Sequence, residues 1–368
     1  MIRRVYIDLV KEVLGQKRFF WLLKRVWQYF AIRLSYFLKH PIAGPVFVTF
    51  LVTYRCNYHC KMCDLPDKAK SPKEELSTTG AIAILNDLAH LGVSGVSFGG
   101  GEPLLRSDIF ELIAYAKKLG MLVHLNTNGF FLSESNAVKL VEHGVDSLNI
   151  SLDGANAVTH DAMREVDGAF DLAVSAIKSV VLIRAAKLSH IRIKIASVID
   201  ETNLQQIPDI LLLGENLGVD CVEFIPQQPM FLSNDPWEKR FDEKFMAGLD
   251  SAVDYILGYQ RTGKIRVENS PAHLKLFKDS FCKKPFPFRC YTAYNSCAID
   301  PYGYVYPCVP WVNMCKPVGN ILDKSLKQFW YSAEYNKVRK DVLACRLCYL
   351  NCHAELSLLF DWPKSKHK

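Results

Sequence analysis

The sequence has no uncharged apolar run of the ~18–20 residues that a membrane-spanning helix requires. Its apolar stretch over residues 19–38 is interrupted by Lys24, Arg25 and Arg33, and no small-residue cleavage site follows. A secretory signal is therefore not expected. A surplus of one charge is missing from most of the chain: beyond residue 45, 36 basic side chains face 36 acidic ones. That balance argues against nucleic acid as a partner of the body. Twelve cysteines in 368 residues are too sparse for a disulfide scaffold. They are also too many, and too clustered, to be incidental in an intracellular chain, where clustered cysteines point to metal.

The whole net charge of +7 lies in residues 1–45, which carry nine Lys/Arg and two acids. At 100° per residue, Lys17, Arg18, Lys24, Arg25, Gln28, Ser35 and Lys39 share one arc. Phe19, Leu23, Val26, Trp27, Phe30, Leu34 and Phe37 share the opposite one, with Arg33 at the boundary. A basic amphipathic helix rich in aromatics reads as a membrane-interface element. The competing reading is a helix packed on the protein with its basic face in water.

Past Pro45 strand and helix patterns alternate. Strands are predicted over 46–54, 93–98, 122–126, 145–152, 191–199 and 219–225. Helices are predicted over 79–91, 107–119, 133–143, 169–187 and 204–217, with Ser107 and Asp108 as cap candidates for the second. Six β/α steps imply an α/β fold with a parallel sheet, a partial (β/α)6 barrel of the TIM type. Functional loops gather at the C-terminal ends of such strands. The predicted division is a basic helical segment over 1–45, the barrel over 46–230, a helical connection over 231–281 and a small cysteine-rich extension over 282–368.

Directly after the first strand comes Cys56-Asn57-Tyr58-His59-Cys60-Lys61-Met62-Cys63. Three thiolates can hold three irons of a [4Fe–4S] cluster and leave the fourth open to a small molecule. Plain buried thiols, or zinc with His59 as fourth ligand, are the alternatives; zinc would crowd one loop. Near the C-terminus, Cys290 and Cys308 enclose a β-hairpin with a Pro301-Tyr302-Gly303 turn, and Cys345-x-x-Cys348-x-x-x-Cys352 follows. Hairpin and CxxC together supply four thiolates, a set that suits an iron–sulfur cluster and also zinc. Cys221, inside a strand, reads as core. Because exposed clusters are oxygen-labile, a reducing cytoplasmic setting is expected.

The CxxxCxxC after a first strand resembles the signature of the radical S-adenosylmethionine (radical SAM) superfamily. The resemblance extends over about residues 46–352. Gly99-Gly100-Gly101-Glu102-Pro103, after the second strand, resembles the family's GGEP motif and implies that the backbone over Gly100, Gly101, Glu102 and Pro103 contacts the SAM amino group. Asn126-Thr127-Asn128-Gly129, Ser151-Leu152-Asp153-Gly154 and His160-Asp161-Ala162-Met163-Arg164 resemble segments that touch SAM. They imply Asn126, Asn128, Ser151 and Asp153 at the ribose or methionine, and Arg164 on the carboxylate. For Asn126 and Asp153 a plain cap or turn competes. Gln227 and Gln228, after the sixth strand, are placed near the adenine. The fifth strand lacks a GxIxGxxE-type motif, so its contacts stay undefined.

The C-terminal pattern resembles the SPASM/twitch extension, which carries auxiliary [4Fe–4S] clusters. It implies one auxiliary cluster on Cys290, Cys308, Cys345 and Cys348, with Cys352 as substitute or extra ligand. Cys297 and Cys315 are the thiols a second cluster would need. The resemblance implies SAM as cosubstrate, a flavodoxin- or ferredoxin-like electron donor, and hydrogen abstraction by a 5′-deoxyadenosyl radical. Three substrate classes stay open. A lipid or isoprenoid would match the N-terminal helix and a site on the inner membrane face. A peptide would make the chain a maturase; 45 residues before the first strand are too few for a leader-binding module, which would then be a separate protein. An alcohol or carbohydrate would make it a dehydrogenase. A non-enzymatic scaffold or metallochaperone would need neither the GGEP-like turn nor Arg164.

Overall fold

The structure is a computed structural model that describes residues 19–228 and 241–361. The basic residues Arg3, Arg4, Lys11, Lys17 and Arg18 therefore lie outside the described residues, as does part of the predicted 231–281 connection. The chain runs through α1 (Phe19–Leu38), β1 (Phe47–Thr53), α2 (Thr78–His90), β2 (Gly95–Gly100), α3 (Ile109–Lys118) and β3 (Leu122–Thr127). It continues through α4 (Glu134–Glu142), β4 (Ser147–Ser151), α5 (Ala157–Arg164), α6 (Ala169–Ala186), β5 (Arg192–Ile199), α7 (Ile207–Leu217) and β6 (Cys221–Pro226). After residue 241 come α8 (Glu243–Thr262), β7 (Arg266–Val267), α9 (Pro271–Leu274), α10 (Phe277–Phe281), β8 (Ser296–Ile299) and β9 (Tyr304–Tyr306). The last elements are α11 (Trp311–Met314), β10 (Gly319–Asn320), α12 (Leu326–Trp330), α13 (Ala333–Ala344) and α14 (Asn351–Phe360).

The strands form one sheet in the order β10-β9-β8-β1-β2-β3-β4-β5-β6-β7. From β8 to β7 every pairing is parallel; β9 and β10 are antiparallel additions at one edge. The six predicted strands form the centre in chain order, as β/α crossovers require. The cysteine-rich extension does not stand apart from this barrel. Its strand β8 pairs with β1, Phe47 opposite Ser296 and Phe50 opposite Ile299. A boundary near residue 282 thus divides the chain but not the sheet.

Local signals explain the helix starts. Ser77, Ser133, Asn156 and Asp242 each accept a hydrogen bond from a backbone N–H in the first turn of α2, α4, α5 and α8. Asp108 occupies the cap position of α3 but makes no capping bond. Its carboxylate instead takes a bidentate pair from Arg106 at 2.6 and 2.9 Å, a stronger charge-assisted contact. Side chains alternate along each strand. Val48, Phe50, Val52, Val96, Phe98, Val123, Leu125, Leu148, Ile150, Ile193, Ile195, Val222 and Phe224 pack outward against the helices in one continuous core. The other row faces inward.

Helix α1 packs on this body with an unexpected face. Gln28, Ala31, Ile32 and Ser35 are buried, while Trp27, Phe30, Leu34 and Phe37 are exposed. The Gln28 amide donates to the carbonyls of Gly44 and Pro45, and Ser35 accepts from the Ile42 N–H. Tyr29 stacks on Phe360 and Tyr36 on Tyr291. The helix is thus packed on the protein with Lys24 and Lys39 exposed, but hydrogen bonding and aromatic stacking, not the aliphatic stripe, seat it. Among the described residues no helix is long and apolar enough to cross a membrane.

Candidate active site

The inward row of the barrel is mostly small or polar, with Phe47, Leu51, Val198 and Ile225 as its apolar members. Thr49, Ser97, Gly99, His124, Asn126, Asn149, Ser151, Lys194, Ala196 and Glu223 line a cavity of about 1010 Å³. A hydrogen-bonded rung crosses it. Asn126 donates to Ser97 Oγ at 3.0 Å, Asn149 to Asn126 Oδ1 at 3.3 Å and to Glu223 at 3.4 Å, and Asn351 to Glu223 at 2.9 Å. Burial lowers the His124 value to about 3, so the ring is neutral. The motif reading missed Ser97, His124, Asn149, Lys194 and Glu223. Their signal was present as polar residues interleaved at period two with the Val/Ile/Leu/Phe row.

The three-thiol loop sits at the C-terminal end of β1, where Cys56, Cys60 and Cys63 all line this cavity. Its base is tied down by Glu75, which accepts from Thr53 Oγ1 at 2.6 Å and from the Tyr54 N–H at 3.1 Å. Its far side is stitched to α5 through Lys61 N–H and the Met163 carbonyl at 3.1 Å. Burial pushes the Cys63 thiol up to about 12 and raises Cys56 as well. Burial disfavours these thiolates, and a coordinated cation would offset that cost.

The glycine run explains its own composition. Gly101 and Glu102 donate backbone hydrogen bonds to the carbonyls of Thr53 and Arg55, at 2.8 and 2.9 Å. A Cβ on Gly100 would stand 2.2 Å from the Thr53 oxygen, and one on Gly101 2.1 Å from the Arg55 oxygen. Gly100 also has φ +115°, a region other residues rarely adopt. The glycines therefore press the second strand end against the root of the cysteine loop. Glu102 is wholly buried and faces away from the cavity. It accepts from Leu104 N–H, Thr127 Oγ1 and Asn128 N–H at 3.0, 2.9 and 2.8 Å, while burial lifts its carboxyl to about 7. With Pro103 starting the next turn, these two residues brace three loops.

Asn128 Nδ2 stands 3.9 Å from Cys56 Sγ and 2.9 Å from Asn57 Oδ1. Arg164 approaches Cys60 Sγ at 3.7 Å and is ion-paired with fully buried Asp153 at 2.6 Å. Burial alone would lower the Arg164 value, but Asp153, Cys60 and Cys63 together raise it, so it stays charged. Burial raises Asp153 despite the arginine. The His160 ring accepts from the Asp153 N–H at 3.0 Å, and burial lowers it to about 3. Ser151 lines the cavity; Asn126 does too, with its amide spent on the rung. Of the two glutamines, Gln228 lines the cavity and Gln227 does not. Gln228 is fixed by Ser280 Oγ at 3.2 Å and the Tyr349 N–H at 3.2 Å, contacts that the C-terminal segment brings.

A second convergence lies at the hairpin. Cys290, Cys308, Cys345 and Cys348 line a small pocket of about 20 Å³ with Trp311, Met314, Val342, Leu347 and His353. Burial raises Cys290, Cys308 and Cys348, and each thiolate would raise its neighbours further. Cys352 is not in this set. It opens from the start of α14 into the large barrel cavity, beside Asn351. One residue later on the helix, the adjacent side chain turns toward the four thiols, and that is His353. Cys297 lies in the core on β8 and Cys315 on the surface, so neither joins the pocket; Cys221 is buried on β6.

Both sites fit thiolate-held groups. Around the first loop the buried polar atoms Asn57 Nδ2, Tyr58 Oη and Arg164 Nε have no partner among the described residues. Around the second, both His353 ring nitrogens have none. A parallel α/β barrel with three thiols at a roomy cavity and four at a small pocket offers donor sets that suit iron–sulfur clusters, the second set suiting zinc as well.

Comparison with known proteins agrees. The radical SAM superfamily model matches residues 50–190, and the SPASM model, an iron–sulfur cluster-binding domain, matches residues 290–353. The chain is 27% identical to an AdoMet-dependent heme synthase of Methanosarcina barkeri, over 80% of this chain and 85% of that one. It is 29% identical to the mycofactocin maturase MftC of Mycobacterium ulcerans, over 80% and 77%. Streptococcus suis SuiB bound to S-adenosylmethionine shares the fold, with TM-score 0.65 at 19% identity over 88% of this chain and 77% of that one. The chain belongs to the radical SAM superfamily and carries a C-terminal SPASM domain. It is an enzyme that uses S-adenosylmethionine, a [4Fe–4S] cluster and auxiliary iron–sulfur chemistry.

Proposed function

We propose that Cys56, Cys60 and Cys63 hold the SAM-binding cluster, that Cys290, Cys308, Cys345 and Cys348 hold one auxiliary cluster, and that the substrate loses a hydrogen atom in the barrel cavity. The observation that carries this is the difference in room: three thiols face about 1010 Å³ and four enclose about 20 Å³. When bound, the first cluster and SAM supply reductive cleavage to methionine and a 5′-deoxyadenosyl radical. The remaining work belongs to the chain. Arg164, held by Asp153, places a fixed positive charge beside Cys60 and offsets the burial of the thiolates. Asn128 and Asn57 orient the Cys56 edge of the loop. Leu51, Tyr58, Met62 and Leu65 make one wall apolar and keep water from a radical. A cluster held by Cys290, Cys308, Cys345 and Cys348 would supply an acceptor for the electron left on the substrate, and a flavodoxin- or ferredoxin-like donor would supply the first one.

The substrate class we favour is a peptide, which the maturase relatives support. A heme-type macrocycle is the second reading, because a heme synthase matches over 85% of its length. The cavity is large enough for a sizeable side chain or a flat ring system. Anaerobic incubation with SAM and a reductant, followed by measurement of 5′-deoxyadenosine, tests both levels. No product above the Cys56→Ala/Cys60→Ala/Cys63→Ala background would sink the radical chemistry. Stimulation by an iron porphyrin but by no peptide would sink the peptide reading.

A further inference from the structure

The seating of α1 leaves a surface that the chemistry does not use. Leu23, Val26, Trp27, Phe30, Leu34, Phe37 and Leu38 are 47–62% exposed. At 100° per residue they fall within an arc of about 120°, opposite the arc that packs on the body. A helix stabilised by burial normally hides such a stripe. Here Gln28, Ser35, Tyr29 and Tyr36 seat the helix and the stripe points out. A contiguous apolar face of this kind marks an interaction site.

We infer that this stripe docks the enzyme on an anionic lipid surface, lying in the plane of the interface. Charge selects that occupant. Lys24 is exposed at one edge of the stripe and Arg33 lies at the other, with Lys39 exposed at the C-terminal end. Residues 19–45 contain no acidic side chain. A second copy would bring like charge against like charge, whereas a phosphate-rich surface complements it. Trp and Phe favour the headgroup boundary. The surface is a place of attachment and is independent of the substrate class.

The test is co-sedimentation of the full-length, cluster-loaded enzyme with two vesicle types, phosphatidylcholine alone and an equal mixture of phosphatidylcholine and phosphatidylglycerol. The wild type is expected to pellet with the mixture, less so at high salt. Trp27→Glu/Phe30→Glu is expected to cut binding by roughly tenfold or more, since it removes the largest apolar anchors and adds repulsion. These residues are outside the catalytic machinery, so 5′-deoxyadenosine formation reports that the variant is folded. Leu182→Glu/Leu188→Glu, on other exposed apolar positions, is expected to bind like wild type. Failure of the wild type to pellet, or undiminished pelleting of Trp27→Glu/Phe30→Glu, overturns the inference. So does a wild-type dimer that ignores vesicles and becomes a monomer in that variant, which would assign the stripe to a second copy.

A separate observation concerns His353 and rests on the auxiliary-cluster reading. The ring is 6% exposed, lines the four-thiol pocket, and has no partner on either nitrogen among the described residues. A buried N–H without a partner is rare and costly. We infer that a His353 ring N–H donates a hydrogen bond to a sulfur of the auxiliary cluster and so raises its reduction potential. The full chain carrying Cys56→Ala/Cys60→Ala/Cys63→Ala isolates that cluster for a titration followed by electron paramagnetic resonance. His353→Leu is expected to shift the potential negative at unchanged iron content, and His353→Gln, which keeps an N–H, to restore part of the shift. An unchanged potential in His353→Leu overturns the inference. Loss of the remaining iron in both variants also overturns it and makes His353 a ligand or packing residue. Absence of iron in the parent variant would instead remove the auxiliary-cluster reading itself.

Discussion

The loop of Cys56, Cys60 and Cys63 and the pocket of Cys290, Cys308, Cys345 and Cys348 present the same donor atom in different surroundings. The first borders a large cavity and keeps unpartnered polar atoms around it. The second is closed by Trp311, Met314, Val342 and Leu347. An open iron is useful only where a small molecule can reach it, and an electron store works best where none can. The two sites also share one sheet. Tyr54, beside the first loop, donates to Asp300 of the hairpin at 3.3 Å, and β8 pairs directly with β1. The comparison teaches that enclosure, more than donor type, distinguishes the two thiol clusters.

The largest test of this contrast removes one site and reads the other. Cys56→Ala/Cys60→Ala/Cys63→Ala is expected to lower iron from about eight to about four per chain and abolish 5′-deoxyadenosine formation. Iron and sulfide analysis after anaerobic reconstitution checks it; a loss of all iron would mean the sites are not independent. Next, Cys348→Ser and Cys352→Ser sharpen the border between pocket and cavity. Cys348→Ser is expected to lose about four irons and Cys352→Ser none. Equal losses would return Cys352 to the ligand set.

A smaller effect is expected at the joint beneath the first loop. Gly101→Ala would force a Cβ against the Arg55 oxygen and cost more than about 2 kcal/mol, because backbone must move. Chemical denaturation of the apo chain measures this, and normal stability with normal iron content would show the joint to be slack. The smallest effect is on pH. Burial lowers His160 to about 3, below its ordinary 6.5. The unfolded chain then binds more protons than the folded one, so this group's stabilisation is full above about pH 6.5 and lost as pH falls through the window to about 3. The slope is about 1.4 kcal/mol per pH unit. His124 adds in the same direction. Melting curves from pH 7 to 5 should flatten in His160→Gln, and an unchanged slope would place the ring in water.

Much of this was legible in the chain. The six β/α steps followed from periodicity, and both thiol sites followed from cysteine spacing after a strand and around a hairpin. The spacing worked because ligands for one cluster must lie within one loop or on neighbouring strands. Other assignments needed neighbours distant in sequence. Gln228 rather than Gln227 reaches the cavity because Tyr349 and Ser280 hold it there. The Glu102 carboxylate is held away from the cavity by donors from Leu104, Thr127 and Asn128. Cys352, named as a substitute or extra ligand, lines the barrel cavity while His353 borders the four thiols, because successive residues at a helix start point in different directions.

The sequence by itself determined the alternation of strand and helix, the grouping of cysteines into two clusters and the uneven charge, since each is written in local spacing. The tertiary structure decided the direction of each side chain and what it meets there. It merged the C-terminal hairpin with the barrel sheet, joined Arg164 to Asp153, and turned the apolar stripe of α1 outward. Periodicity defines two faces of an element, but only the surface it packs against selects which face is buried.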